Sequence, residues 1–120
     1  MHLVTLTMTS LVALEHIYFL YLEMFAWTQP RTRKAFGTTA EFAEATKSLA
    51  ANQGLYNGFL AAGLIWAMVA GPVMARPLVF FFTSCVLVAA IYGGLTVKRS
   101  ILLIQGIPAA LCLLSALAIG

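Results

Sequence analysis

The chain is 120 residues long, 62% hydrophobic and 9% charged, with seven Lys and Arg against four Asp and Glu and a mean hydropathy of +0.94. So few charged side chains cannot coat a soluble domain of this size, and most of the surface must face lipid. The net charge of +3 is not a nucleic-acid footprint, because the basic residues fall in short loops between apolar runs rather than on one face.

A membrane helix needs about 20 mostly apolar residues. Segments 3–27, 55–73, 78–97 and 101–120 qualify. The expected fold is therefore all-α: a four-helix transmembrane bundle with a short cytoplasmic amphipathic helix between the first and second spans, in a single integral membrane domain over 1–120. The first segment does not read as a cleavable signal. No Lys or Arg precedes Arg31, the apolar run is too long, and acids lie inside it.

Those acids are the main chemical feature of the chain. Glu15 and His16 sit near the middle of the first segment and Glu23 near its end. An ionisable group at mid-bilayer costs roughly 2.5–3.5 kcal/mol on insertion scales, so its presence points to function or to a specific contact. At 100° per residue, Thr5, Thr9, His16 and Glu23 fall within about 40° of one another, with Glu15 about 80–100° to one side. Lipid cannot face such a stripe cheaply, so it turns into the bundle or a subunit interface. No Lys or Arg lies in any of the four segments, which leaves Glu15 without a basic partner at its depth. Glu23 lies about 12 Å nearer the basic loop, within reach of Arg31 or Lys47.

After the first span comes the basic loop "TQPRTRKAFG", then "TTAEFAEATKSLAANQG". Thr38 and Glu41 have capping-box spacing, and Phe42, Ala45 and Leu49 share a face, which predicts the amphipathic helix over 39–53. Glu44 and Lys47 have the spacing of an ordinary i, i+3 pair. Gly54 is expected to break that helix from the second span. Asn52, Gln53, Tyr56 and Asn57 cluster at this junction. They either cap helix ends or approach Glu23 and His16 and complete a polar pocket.

The remaining spans carry small residues every fourth position: Gly54, Gly58, Ala62; Gly63, Ala67, Gly71; Cys85, Ala89, Gly93; and Cys112, Ala116, Gly120. This spacing allows close helix approach. Pro108 is expected to kink the last span and free a carbonyl. With the N-terminus outside, Arg31, Arg33, Lys34, Lys47, Lys98 and Arg99 are cytoplasmic and only Arg76 is external, a marked positive-inside bias that places both termini outside.

Metal and cofactor sites are not expected. His16 and Glu23 are about 10.5 Å apart along the axis, too far to share one ion. Position 18 is Tyr, so the Glu-x-x-His pairing of di-iron bundles is missing. Cys85 and Cys112 stand alone inside apolar segments and read as packing residues.

The blocks "VALEHIYFLYLEMFAW", "FGTTAEFAEATKSLAANQGLYNGFLAAGL" and "IYGGLTVKRSILLIQGIPA" closely resemble a family of small bacterial integral membrane proteins catalogued as domain of unknown function 1304. The resemblance implies a four-helix membrane protein in the bacterial inner membrane. It carries no activity, substrate or catalytic residue.

Three functional readings follow. The leading one is binding or transport of a small amphipathic molecule, a cation or a proton, through a polar pocket of Glu15, His16, Glu23, Asn52, Gln53, Tyr56 and Asn57. The second is a membrane enzyme in which a buried Glu/His pair transfers a proton on a lipid-like substrate. The third is an accessory or structural subunit whose polar residues dock a partner helix. The expected partners are the lipid bilayer, a small-molecule ligand and a second copy of the chain, the dimer being the commonest closed assembly.

Overall fold

The computed structural model describes all 120 residues. The fold is all-α: α1 (Leu3–Phe25), α2 (Pro30–Phe36), α3 (Ala40–Ala45), α4 (Lys47–Val69), α5 (Pro72–Thr96) and α6 (Arg99–Ile119). Three of these, α1, α5 and α6, are long and apolar enough to cross a membrane. The expected span at 55–73 corresponds to the second half of α4, which ends at Val69. Lys47, Ser48, Asn52, Gln53 and Asn57 occupy its first three turns and dilute its hydropathy.

The chain forms two compact units, one of Met1–Leu14 with Leu60–Gly120, the other of Glu15–Phe59. In the first, Val12, Leu64, Ala67, Val79, Val86, Ala109 and Cys112 form the core. Here α5 packs along the whole of α6. Small residues make the approach close: a methyl group on Gly94 would lie 2.6 Å from Leu102 Cβ, and one on Gly63 would lie 2.3 Å from the Phe82 ring. On α5 the inward face is Val79, Thr83, Val86 and Ala90, whereas Ala89 is exposed. Of the Cys85, Ala89, Gly93 series, Ala89 faces outward, whereas Gly93 packs against Ile101, which an added methyl would meet at 3.0 Å. Thr9 and Cys112 approach to 3.3 Å between α1 and α6.

Pro108 leaves α6 continuous. It has no N–H for the carbonyl of Ile104, and a wide π turn over Leu102–Gly106 absorbs the mismatch just ahead of it.

In the second unit the predicted 39–53 helix is divided. Thr39, not Thr38, caps α3, its hydroxyl accepting from Phe42 N–H at 3.1 Å. The helix stops at Thr46, whose hydroxyl donates back to Phe42 C=O at 2.7 Å and accepts from Trp27 Nε1 at 3.1 Å. Glu44 and Lys47 therefore stand on different helices. Gly37 at φ 70° closes α2 in the left-handed conformation that glycine adopts freely. Gly54 breaks nothing. It is buried in the second turn of α4, where an added methyl would meet Met24 Cγ at 2.7 Å and Leu20 O at 3.2 Å. The missing side chain lets α4 close on the backbone of α1.

Candidate functional site

The helical period puts the polar stripe of α1 inside. Thr5, Thr9, His16 and Glu23 are 1%, 0%, 0% and 2% exposed. Between them, Leu11, Leu14, Tyr18 and Tyr21 are exposed, as the opposite face of a membrane helix should be. Tyr18 and Tyr21 accordingly lie outside the polar cluster.

Glu23 has both carboxyl oxygens bonded from another helix. Its Oε2 accepts from Gln53 Nε2 at 2.6 Å and its Oε1 from Asn57 Nδ2 at 2.5 Å. The two amides are one turn apart on α4 and reach the two oxygens of one carboxyl. Gly54 lies between them on the chain, and its bare Cα permits the short interhelical distance that the fork needs. Arg31 and Lys47, the expected ion-pair partners, are exposed, and amides from α4 take their place. Amides suit this position because they match the carboxyl's acceptors without adding charge to a largely apolar helix pair.

Asn52 and Tyr56 point elsewhere. Both are exposed, and Tyr56 is packed edge-on against Phe59 at 5.7 Å. The reason is again the period: Asn52 and Tyr56 share one face of α4, and Gln53 and Asn57 share the next. Of the junction cluster, only the second pair reaches α1.

His16 is fully buried, with the Phe19 ring edge-on at 5.3 Å. Glu15, its neighbour in sequence, is half-buried at the flank of the inward arc. One of its oxygens, Oε1, is enclosed without a hydrogen-bond partner. The two carboxyls of α1 thus differ. Glu23 is sealed by donors from α4, and Glu15 carries an acceptor left to be completed. No three His, Cys, Asp or Glu side chains gather anywhere in the chain.

Comparison with known proteins places this architecture. A family model described as "Protein of unknown function (DUF1304)" matches residues 10–117. The chain is also similar to the "Uncharacterized protein YpaA" of Lactococcus lactis subsp. lactis (strain IL1403), with 36% identity over 117 residues, covering 96% of this chain and 98% of that one. No solved structure matches it. The matched region takes in α1 from Ser10 onward, all of α4 and α5, and nearly all of α6, so the chain belongs to the DUF1304 family.

Proposed function

We propose that the protein crosses the bacterial inner membrane four times and binds a proton or a small cationic amphiphile through Glu15. The observation that carries this reading is the enclosed, unpartnered Oε1 of Glu15 at the centre of α1. A carboxyl oxygen withdrawn from water and given no donor is completed by a proton or by a cation. The part of the side chain that remains exposed gives such a species access from the lipid side. His16, next in the chain, supports Glu15 in this reading, and Glu23 with Gln53 and Asn57 holds α1 to α4.

The fourth crossing is α4. Its polar residues are its weak point as a span, and two of the three amides are internally satisfied by Glu23, which offsets much of their insertion cost. Four crossings put Arg31, Arg33, Lys34, Lys47, Lys98 and Arg99 on one side and Arg76 on the other, in keeping with cytoplasmic loops and outward termini. An impermeant maleimide added to intact cells checks this, in a background lacking Cys85 and Cys112. Gly71→Cys reacts and Lys34→Cys does not; the reverse pattern inverts the topology, and reaction at both or neither rejects the four-span arrangement.

The binding role is tested with a hydrophobic carbodiimide, which attacks lipid-accessible carboxyls in vesicles. Glu15 becomes an N-acylurea while Glu23 does not, and tetraphenylphosphonium slows the labelling. Glu15→Gln melts at the wild-type temperature or higher in nanodiscs from pH 5 to 8, since no hydrogen bond to Oε1 is lost. Labelling of Glu23 in preference to Glu15, or a large fall in Tm for Glu15→Gln, rejects the role assigned to Glu15 and makes it a packing group.

A further inference from the structure

A cavity of about 180 Å³ lies where α1 begins, α4 turns into α5, and α6 finishes. Thr5, Pro72, Ala75, Arg76, Val79 and Ala116 line it, together with Met1 and Gly120. Two independent features give it a chemical character.

The first is the Thr5 hydroxyl. Thr7, Thr9, Thr83 and Thr96 each donate to the carbonyl four residues back, the usual way for a threonine in a membrane helix to satisfy itself. Thr5 does not. Its residue four back is Met1, outside α1, and Oγ1 is left without a partner although Thr5 is only 1% exposed. A buried donor with nowhere to donate carries a standing cost that a ligand acceptor would remove.

The second is the placement of Arg76. It occupies the second turn of α5, behind the Gly71 N-cap, which has no side-chain cap. That is the positive end of the helix dipole, where a cation is disfavoured and an anion favoured. Arg76 is also the single basic residue in the stretch between Lys47 and Lys98. Arg76 is exposed, and its guanidinium carbon lies 5.3 Å from the Phe80 ring centroid. A guanidinium and a hydroxyl are donors that recognise a phosphate oxyanion; the start of α5 adds the field of its dipole rather than a row of free N–H groups, since Pro72 has none and those of Met74 and Ala75 bond Gly71 C=O. Pro72, Ala75, Val79 and Ala116 supply apolar walls of the kind that face a glycerol backbone or the first carbons of an acyl chain. The volume is below the roughly 300–1,000 Å³ of sites that enclose a whole drug-sized ligand, so the cavity fits a head group whose tails stay in the bilayer.

We propose that this cavity binds the phosphate group of an anionic phospholipid. The lipid as source rests on the membrane-spanning reading above; the anion site itself rests only on Thr5, Arg76 and the start of α5.

The test is the melting of the full chain in neutral detergent micelles. Phosphatidylglycerol raises the Tm of the wild type, and diacylglycerol, which lacks the phosphate, does not. Arg76→Gln and Thr5→Val each lose at least half of that rise, while Arg99→Gln, near the other end of α6, keeps it. Without lipid, Thr5→Val melts at or above the wild type, because it deletes an unpartnered buried hydroxyl, so its lost response is not a folding defect. Equal responses of wild type, Arg76→Gln and Thr5→Val overturn the proposal. A full rise with inorganic phosphate alone overturns the lipid as source and leaves a soluble anion. A failed maleimide topology beside an intact Arg76-dependent rise separates the two readings: the spanning arrangement falls and the anion site stands.

Discussion

Asn57→Leu is expected to lower the unfolding free energy by about 2 kcal/mol, measured by reversible unfolding in mixed detergent micelles. Asn57 Nδ2 is one of two donors to Glu23, and because Asn57 is half-buried and Glu23 only 2% exposed, water does not reach the side of the carboxyl that this amide occupies. A hydrogen bond to a charged group contributes about 1.5–3 kcal/mol, whereas interhelical hydrogen bonds in membranes average about 0.6 and reach about 1.7. Burial and the two-pronged geometry place Asn57 at the upper end of the membrane range. Gln53→Leu costs less, because Gln53 is itself exposed and water can stand in for its amide. A double-mutant cycle isolates the interaction. In a Glu23→Leu background Asn57→Leu costs close to nothing, giving a coupling of about 1–2 kcal/mol between the two positions. Additive costs would mean that the amide and the carboxyl stabilise the fold separately, and the clamp assigned to them would be wrong.

Gly94→Ala is the second large effect, a loss of about 3 kcal/mol by the same unfolding measurement. The new methyl would stand 2.6 Å from Leu102 Cβ and 3.3 Å from both Leu102 Cα and N. These are atoms of the α6 backbone or fixed to it, so α5 and α6 must separate along the face where they pack most continuously. Overpacking of this kind costs about 1–3 kcal/mol when side chains can adjust, and here they cannot. Gly63→Ala provides the contrast. Its methyl would first meet the far end of the Phe82 ring, which can swing aside, and Phe82→Leu restores most of the loss. Leu102→Ala restores nothing at Gly94, because Cβ, Cα and N all remain. If Leu102→Ala did rescue Gly94→Ala, the contact would be between side chains and the helices would be farther apart than described.

The two carboxyls of α1 show where sequence reasoning ends. Their helical phase is readable because 3.6 residues per turn is a property of the backbone, and Thr5, Thr9, His16 and Glu23 are buried as that phase requires. What satisfies each of them is not readable, since it depends on which residues of α4 face α1. Asn52, Gln53, Tyr56 and Asn57 are equally polar in sequence, and only the rotation of α4 divides them into an outward pair and a pair that meets Glu23. The basic loop gave the simpler electrostatic expectation for Glu23. The structure answers with neutral amides, which a pattern of charges cannot reveal.

The small residues make the same point. Gly and Ala recur on several faces of every span, so periodicity finds stripes without ranking them. Gly54, expected to end a helix by its low propensity, instead sits inside one, because the close approach of α1 outweighs about 1 kcal/mol of intrinsic preference. Thr38 and Thr39 differ by one position, and the cap falls on the residue whose backbone is extended when α3 starts.

Composition and hydropathy by themselves determined that this is an all-helical chain suited to a membrane, that its first helix buries a polar stripe, and where its basic residues lie. Those follow from transfer free energies and helix geometry, which act locally along the chain. The tertiary structure alone decided that Glu23 is clamped by Gln53 and Asn57, that Glu15 keeps an enclosed oxygen without a donor, and that Thr5 and Arg76 line one cavity. Each of these depends on the rotation and spacing of helices brought together from distant parts of the sequence, and a shift of one residue in helix phase would change every partner.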